Sequence, residues 1–135
     1  MMEQILIIED NDDDILMIKR GFKKGRIGNA VHCVSNGKEG LEYLSNNPDK
    51  GIHLILLDLN MEVMNGFEFL MERLKNDNLK SIPVVVLTSS NRHEDIEKAY
   101  ILGANSYVEK PLDPDKFIKA ILSIEDFWIY LAKTP

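Results

Sequence analysis

Short, almost purely apolar runs alternate along this chain with longer segments in which apolar residues return every three or four positions. The runs at 4–8, 30–34, 52–57, 82–87 and 106–108 read as five strands. They lack polar alternation, as strands covered on both faces do. Between them Ile15, Ile18 and Phe22, then Leu41 and Leu44, then Phe67, Leu70 and Leu74, then Ile96, Ala99 and Leu102 recur at helical spacing. A last helix carries the stripe Phe117, Ile121, Ile124, Trp128 and Leu131. Asn11, Asn36-Gly37, Asn65-Gly66, the Asn91-to-Glu94 stretch and Asp113-Pro114 supply helix starts, and Gly103 a stop. The segments Asn46 to Asp49 and Asn76 to Ser81 read as turn and polar loop. Helices between consecutive strands require parallel pairing through right-handed crossovers. The expected fold is therefore α/β, a doubly wound sheet of about five strands.

Composition narrows the setting. A chain of 135 residues with 44% hydrophobic content suits one domain over 1–135 with its own core. Cys33, the only cysteine, excludes an internal disulfide and fits a reducing compartment. No apolar run approaches a membrane span, and Met1 to Gln4 lack the basic flank of a signal peptide, so the cytoplasm is expected. A net charge of −6 argues against a nucleic-acid surface, and Lys19, Arg20, Lys23, Lys24 and Arg26 read as one solvated helix face.

In such a sheet the carboxyl ends of the strands share one rim, where ligands bind. Glu9 and Asp10, Asp58, Thr88 and Lys110 all fall there, each at or just past its strand. Three carboxylates brought together repel, so either one holds a proton or a divalent cation sits among them. Oxygen-only ligands favour Mg²⁺ or Mn²⁺. The hydroxyl and the ammonium opposite suit a phosphoryl group.

The stretches Ile7-Ile8-Glu9-Asp10-Asn11, Leu56 to Met61 with Asn65-Gly66, Val86-Leu87-Thr88-Ser89, and Gly103-Ala104 leading to Tyr107 and Lys110-Pro111 occur in that order. Together they closely resemble the receiver domains of two-component response regulators of the chemotaxis type, over nearly the whole chain. The resemblance implies a flavodoxin-like sheet of order 2-1-3-4-5. It implies that Asp58 accepts a phosphoryl group from a sensor histidine kinase. Mg²⁺ would be held by Asp10, Asp58 and the backbone carbonyl of Asn60, with Glu9 acting through water. Thr88 and Lys110 would bind phosphate oxygens, Thr88 and Tyr107 would form the switch, and Asn60 and Ser90 would tune the phosphoryl lifetime. A cis peptide between Lys110 and Pro111 would aim the lysine. Glu62, where many members have proline, departs from the pattern and adds an acid over the metal site. The closing stretch Ser123 to Trp128 resembles regulators paired with bacteriophytochrome-type sensor kinases. With no output domain after the last helix, the output expected is protein contact, or a phosphate shuttle or sink.

Plainer readings apply elsewhere. Asp12, Asp13 and Asp14 read as helix-start or loop charges, and His32, His53 and His93 lack ligand spacing. A flavodoxin-like cofactor carrier would place a phosphate loop where this chain has four aspartates and a glutamate between Glu9 and Asp14. An aspartate-nucleophile phosphatase would need a second carboxylate where Asn60 stands. Finally, Phe127 to Leu131 are five consecutive apolar residues that cannot all face inward on an α-helix. With Ile118, Leu122, Ile129 and Tyr130 on its second face, that helix is expected to form a homodimer.

Overall fold

The computed structural model describes residues 4–25, 30–48 and 51–131. Arg26 and Asp49 of the sequence reading lie outside them. Strands β1 (Gln4–Ile8), β2 (Val31–Val34), β3 (Ile52–Leu57), β4 (Val84–Thr88) and β5 (Ser106–Glu109) alternate with helices α1 (Asp12–Lys24), α2 (Gly37–Asn46), α3 (Gly66–Leu74), α4 (Asp77–Lys80), α5 (His93–Ile101) and α6 (Pro114–Glu125). A π-helical segment, Asp126–Leu131, continues α6. All strand pairs are parallel, in the order β2-β1-β3-β4-β5. The doubly wound sheet and its order are as expected.

Strand residues alternate between two apolar layers because successive side chains point to opposite faces. Ile5, Ile7, Leu54, Leu56, Val85 and Leu87 meet Ile18 and Phe22 of α1 and Phe117, Ile121 and Ile124 of α6. Leu6, Ile8, Ile55, Leu57, Val84 and Val86 meet Leu44 of α2, Phe69 and Leu70 of α3, and Ala99 of α5. Both faces are dry, which is why the strand sequences carry no polar alternation.

Four local features differ from the sequence reading. The polar loop after α3 contains α4, capped by the Asn76 side chain, because Leu79 gains burial there. Helix α3 buries Phe69, Leu70 and Arg73, whereas Phe67 is half-buried and Leu74 exposed. The Arg73 guanidinium enters the interior because its Nη2 donates to the carbonyls of Lys80 at 3.0 Å and Ile82 at 2.7 Å. Helix α5 starts after Arg92 with no side-chain cap of its own. The last helix changes winding at Asp126, so the α-helical stripe does not continue: Trp128 and Ile129 both pack on the core, while Phe127, Tyr130 and Leu131 are exposed. No helix among the described residues is long and apolar enough to cross a membrane.

Helix α1 lies directly on α6, and the closeness is set by Gly21. A Cβ added there would stand 2.6 Å from Ile121 Cγ2 and 2.7 Å from Ile121 Cβ. Ile121 is fully buried, so it has nowhere to retreat. Gly21→Ala should therefore lower unfolding stability by about 1–3 kcal/mol through overpacking. Urea unfolding checks this; a neutral or stabilised variant would mean that the two helices can part without loss.

Candidate functional site

The rim of the sheet is built by backbone pairing. The Asp58 N–H donates to the Ile8 carbonyl at 3.0 Å and the Glu9 N–H to the Val34 carbonyl at 3.0 Å, so the ends of β1 and β3 lie side by side. The Lys110 N–H donates to the Thr88 carbonyl at 2.8 Å, which fixes the lysine just past β5. Helix α3 begins almost on top of Asp58: the Gly66 N–H reaches the Leu59 carbonyl at 3.1 Å, and a Cβ at Gly66 would collide with the Asp58 carbonyl oxygen. Only glycine permits that approach. Asn65 and Glu68 close the start of α3 as a reciprocal capping box.

Glu9, Asp10 and Asp58 converge, with one carboxylate oxygen of each within 4.8 Å of the others. Glu9 is 2% exposed and Asp58 5%, whereas Asp10 faces solvent. Lys110 Nζ stands 2.7 Å from Glu9 Oε1, 2.7 Å from Asp14 Oδ2 and 3.7 Å from Asp58 Oδ1. Asp58 Oδ1 also accepts the Leu59 N–H at 2.9 Å. Burial pushes the Glu9 carboxyl up to about 7, and the Asp58 charge adds to the effect, against the nearby ammonium of Lys110. Burial alone would lower Lys110, but Asp14, Glu9 and Asp58 together raise it. The oxygen-only donor set and its net negative charge fit a hard divalent cation.

The other expected residues take definite places. Thr88 is fully buried, and its Oγ1 is 3.5 Å from Asn60 Nδ2. The Tyr107 hydroxyl donates to the Ser90 carbonyl at 2.9 Å, and the ring packs against the core layer on the α3 side. The Ser90 hydroxyl donates to Asp95 Oδ2 at 2.6 Å, turned toward α5. Asn60 and Ser89 line the cleft over Asp58, a space of about 420 Å³ shared with Asp10, Asp14 and Lys110. No cis peptide occurs among the described residues, so Lys110-Pro111 is trans. The lysine is aimed by its backbone bond to Thr88 and by its carboxylate partners instead.

Two features escaped the sequence. Asp14, read as a helix-start charge, is an ion-pair partner of the half-buried Lys110. It shares the first turn of α1 with Asp12 and Asp13, so its position along the chain gave no signal that sets it apart. Val63 has φ 70° and is 77% exposed, in a three-residue turn closed by the Met64 N–H on the Glu62 carbonyl at 2.9 Å. Such a turn is strained for a β-branched residue. Glu62 is exposed at its start, and the three histidines are dispersed: His32 stacks on Tyr43, His93 pairs with Glu97, and His53 faces solvent.

A carboxyl whose pKa is higher folded than unfolded binds its proton more tightly in the native state. For Glu9 the window runs from 4.5 to about 7. Stability from this group is fully present below that window and is lost as pH rises through it. In EDTA, the parent should unfold at a higher urea concentration at pH 5.5 than at pH 7.5, and Glu9→Gln should flatten the difference. A parent that loses stability on this acidification, with the same slope in Glu9→Gln, would remove Glu9 as the source.

Comparison with known proteins agrees with this geometry. The sequence profile of the response regulator receiver domain matches residues 5–122. A probable methanogenesis regulatory protein, FilR2 of Methanothrix harundinacea, is 32% identical over 97% of this chain and 86% of its own length. Response regulator Rcp1 of Synechocystis is 33% identical over 97% of this chain and 92% of its own, and its Mn²⁺-bound crystal form superposes with a TM-score of 0.88. The phosphorylated cyanobacterial phytochrome response regulator RcpA gives a TM-score of 0.92 at 33% identity, covering 100% of this chain and 99% of that one. With the profile matched over residues 5–122 of the chain and these relatives above 30% identity, the chain belongs to the response regulator receiver domain family of two-component signalling.

Proposed function

We propose that Asp58 is the phosphoacceptor and that the chain carries a signal from a sensor histidine kinase, of phytochrome type by its likeness to RcpA, to a protein partner. The observation that supports this most is the placement of Asp58. It is a nearly buried carboxylate at the end of the central strand, on the floor of a cleft that also holds Asp10, Asn60 and Lys110. An Asp58 carboxylate oxygen attacks the phosphorus of a phosphohistidine. The O–P bond forms, the P–N bond breaks, and its electron pair stays on the departing imidazole.

Asp10, Asp58 and the Asn60 backbone carbonyl would hold Mg²⁺ or Mn²⁺, with Glu9 linked through water. When bound, the ion neutralises charge on the phosphoryl oxygens. Lys110 and the Thr88 hydroxyl take the remaining oxygens, so the work of the protein is positioning and charge neutralisation. Self-catalysed loss of the phosphoryl group needs water at the same cleft. Of the two residues that tune it, Asn60 lines the cleft, and Ser90 acts from behind through the loop that Tyr107 grips.

The switch follows from that grip. Drawing Thr88 toward a phosphorylated Asp58 separates it from Asn60 and pulls the 88–92 loop, whose Ser90 carbonyl is already held by Tyr107. A charge change at the cleft thereby reaches the outer edge of β5. Asn60 in place of a second carboxylate leaves the phosphatase reading without its acid and base. The cytoplasm is the compartment where such kinases deliver phosphate. Phe127 lines an apolar groove of about 390 Å³ between β5 and α6 together with Val108, Ala120 and Trp128, and Tyr130 and Leu131 are exposed further along the same helix. A second copy of the chain covers it in a twofold dimer. Ile129, assigned to the outer face from sequence, packs on the core instead.

Incubation with a small phosphodonor such as acetyl phosphate in Mg²⁺ should add one phosphoryl group that is labile in both acid and base and is cleaved by hydroxylamine, and Asp58→Asn should take none, because an amide forms no acyl phosphate. Equal labelling of parent and variant, read by intact mass, would place the acceptor elsewhere. The dimer is checked by sedimentation. The parent should dimerise at tens of micromolar, and Tyr130→Asp with Leu131→Asp should be monomeric yet still labelled at Asp58. A monomeric parent in both phosphorylation states would refute it.

A further inference from the structure

Lys110 is the cation that the phosphoryl group needs, yet its ammonium is held elsewhere. Two of its contacts are short, 2.7 Å to Glu9 Oε1 and 2.7 Å to Asp14 Oδ2, while Asp58 Oδ1 is 3.7 Å away, beyond hydrogen-bond reach. Asp14 lines the same cleft as Asp58 and Lys110. It lies in the first turn of α1, where its backbone N–H is caught by Asn11 Oδ1 at 2.9 Å, so the backbone beneath the carboxylate is fixed. Asp12 and Asp13 sit on the same turn and are exposed, and neither is among the three carboxylates around Lys110.

We propose that Asp14 is a positioning residue, a latch that holds Lys110 back from the phosphoryl site and thereby sets how readily Asp58 is occupied. The inference rests on Asp58 being the phosphoacceptor. Its physical basis is competition for one ammonium. Lysine is a compact charge on a flexible four-carbon stem, so Lys110 rather than Asp14 is the partner able to move. An incoming group with three anionic oxygens must take Lys110 from Asp14, and the Asp14 carboxylate repels those oxygens as well. The Lys110 side chain is 10% exposed and that of Asp14 25%, so solvent and salt screen this competition less than they would at the surface. Glu9 also competes, but it belongs to the carboxylate cluster with Asp10 and Asp58, which Asp14 does not join.

Beryllium fluoride, a phosphoryl mimic, titrated at saturating Mg²⁺ tests the latch. Asp14→Asn keeps the side-chain shape and removes the charge. It should bind beryllium fluoride about tenfold more tightly than the parent, a factor that corresponds to about 1.4 kcal/mol. Asp13→Asn, which removes a charge from the same helix turn without touching Lys110, should match the parent, and Asp14→Glu should restore parent behaviour. In a Lys110→Ala background Asp14→Asn should change nothing. In metal-free protein the ¹³Cε resonance of Lys110 should move in Asp14→Asn and stay in place in Asp13→Asn, a readout that a purely structural role for Asp14 would not give. Should Asp14→Asn fold poorly, Asp14→Ser removes the same charge at the same position.

A parent that fails to bind the mimic and fails to label at Asp58 overturns the phosphoacceptor reading itself. A parent that binds, with Asp14→Asn equal or weaker, overturns the latch alone. An equal gain in Asp13→Asn also overturns it, by assigning the effect to the general charge of the helix start.

Discussion

Mutual repulsion among Glu9, Asp10 and Asp58 is the constraint on which this molecule turns. The parallel sheet forces the ends of β1 and β3 together, and the backbone bond from Asp58 to Ile8 leaves no freedom to relieve the crowding by sliding the strands. Two of the three carboxyls are buried, where like charges interact strongly and water cannot screen them. One ammonium, delivered by β5 from the far side of the sheet, offsets part of that charge. The site thus keeps a net negative charge by construction, which fits a divalent cation.

The architecture was legible because both faces of the sheet are covered. Complete burial makes strands such as Ile52 to Leu57 continuous apolar runs, and the intervening helices then leave few topologies. Asp58, Thr88 and Lys110 were legible for a related reason, since position at a strand's carboxyl end decides which loops share a rim. Harder to read were side chains whose role depends on a partner distant in sequence. Asp14 looks identical to Asp12 and Asp13 until Lys110, 96 positions away, is placed beside it. Arg73 breaks the apolar pattern of α3 because its stem is apolar and its two acceptors are carbonyls seven and nine residues on. Beyond the change of winding at Asp126, Trp128 and Ile129 both pack on the same core, a placement that α-helical periodicity does not reveal.

Core and rim make different demands on the chain. The acidic cluster and its lysine sit on strand ends that the core dictates. The loops and helices around them are free of that demand. Leu112 is wholly exposed beside the cleft, and Phe127, Tyr130 and Leu131 stand at the end of the last helix. Such exposed positions are not fixed by the packing of the sheet.

The buried clasp of Arg73 has a meaning for the order in which the chain can assemble. Pairing β3 with β4 closes a loop of roughly thirty residues, from Ile55 to Val84. The bond from Arg73 to the Ile82 carbonyl closes one of nine. The difference in closure entropy is about 1 kcal/mol in favour of the shorter loop. The Arg73 contact therefore costs less closure entropy than the β3–β4 pairing while it fixes the chain that leads into β4. The strand that ends in Thr88 is thus anchored at its entry as well as along its edges, by a guanidinium buried away from the carboxylate cleft.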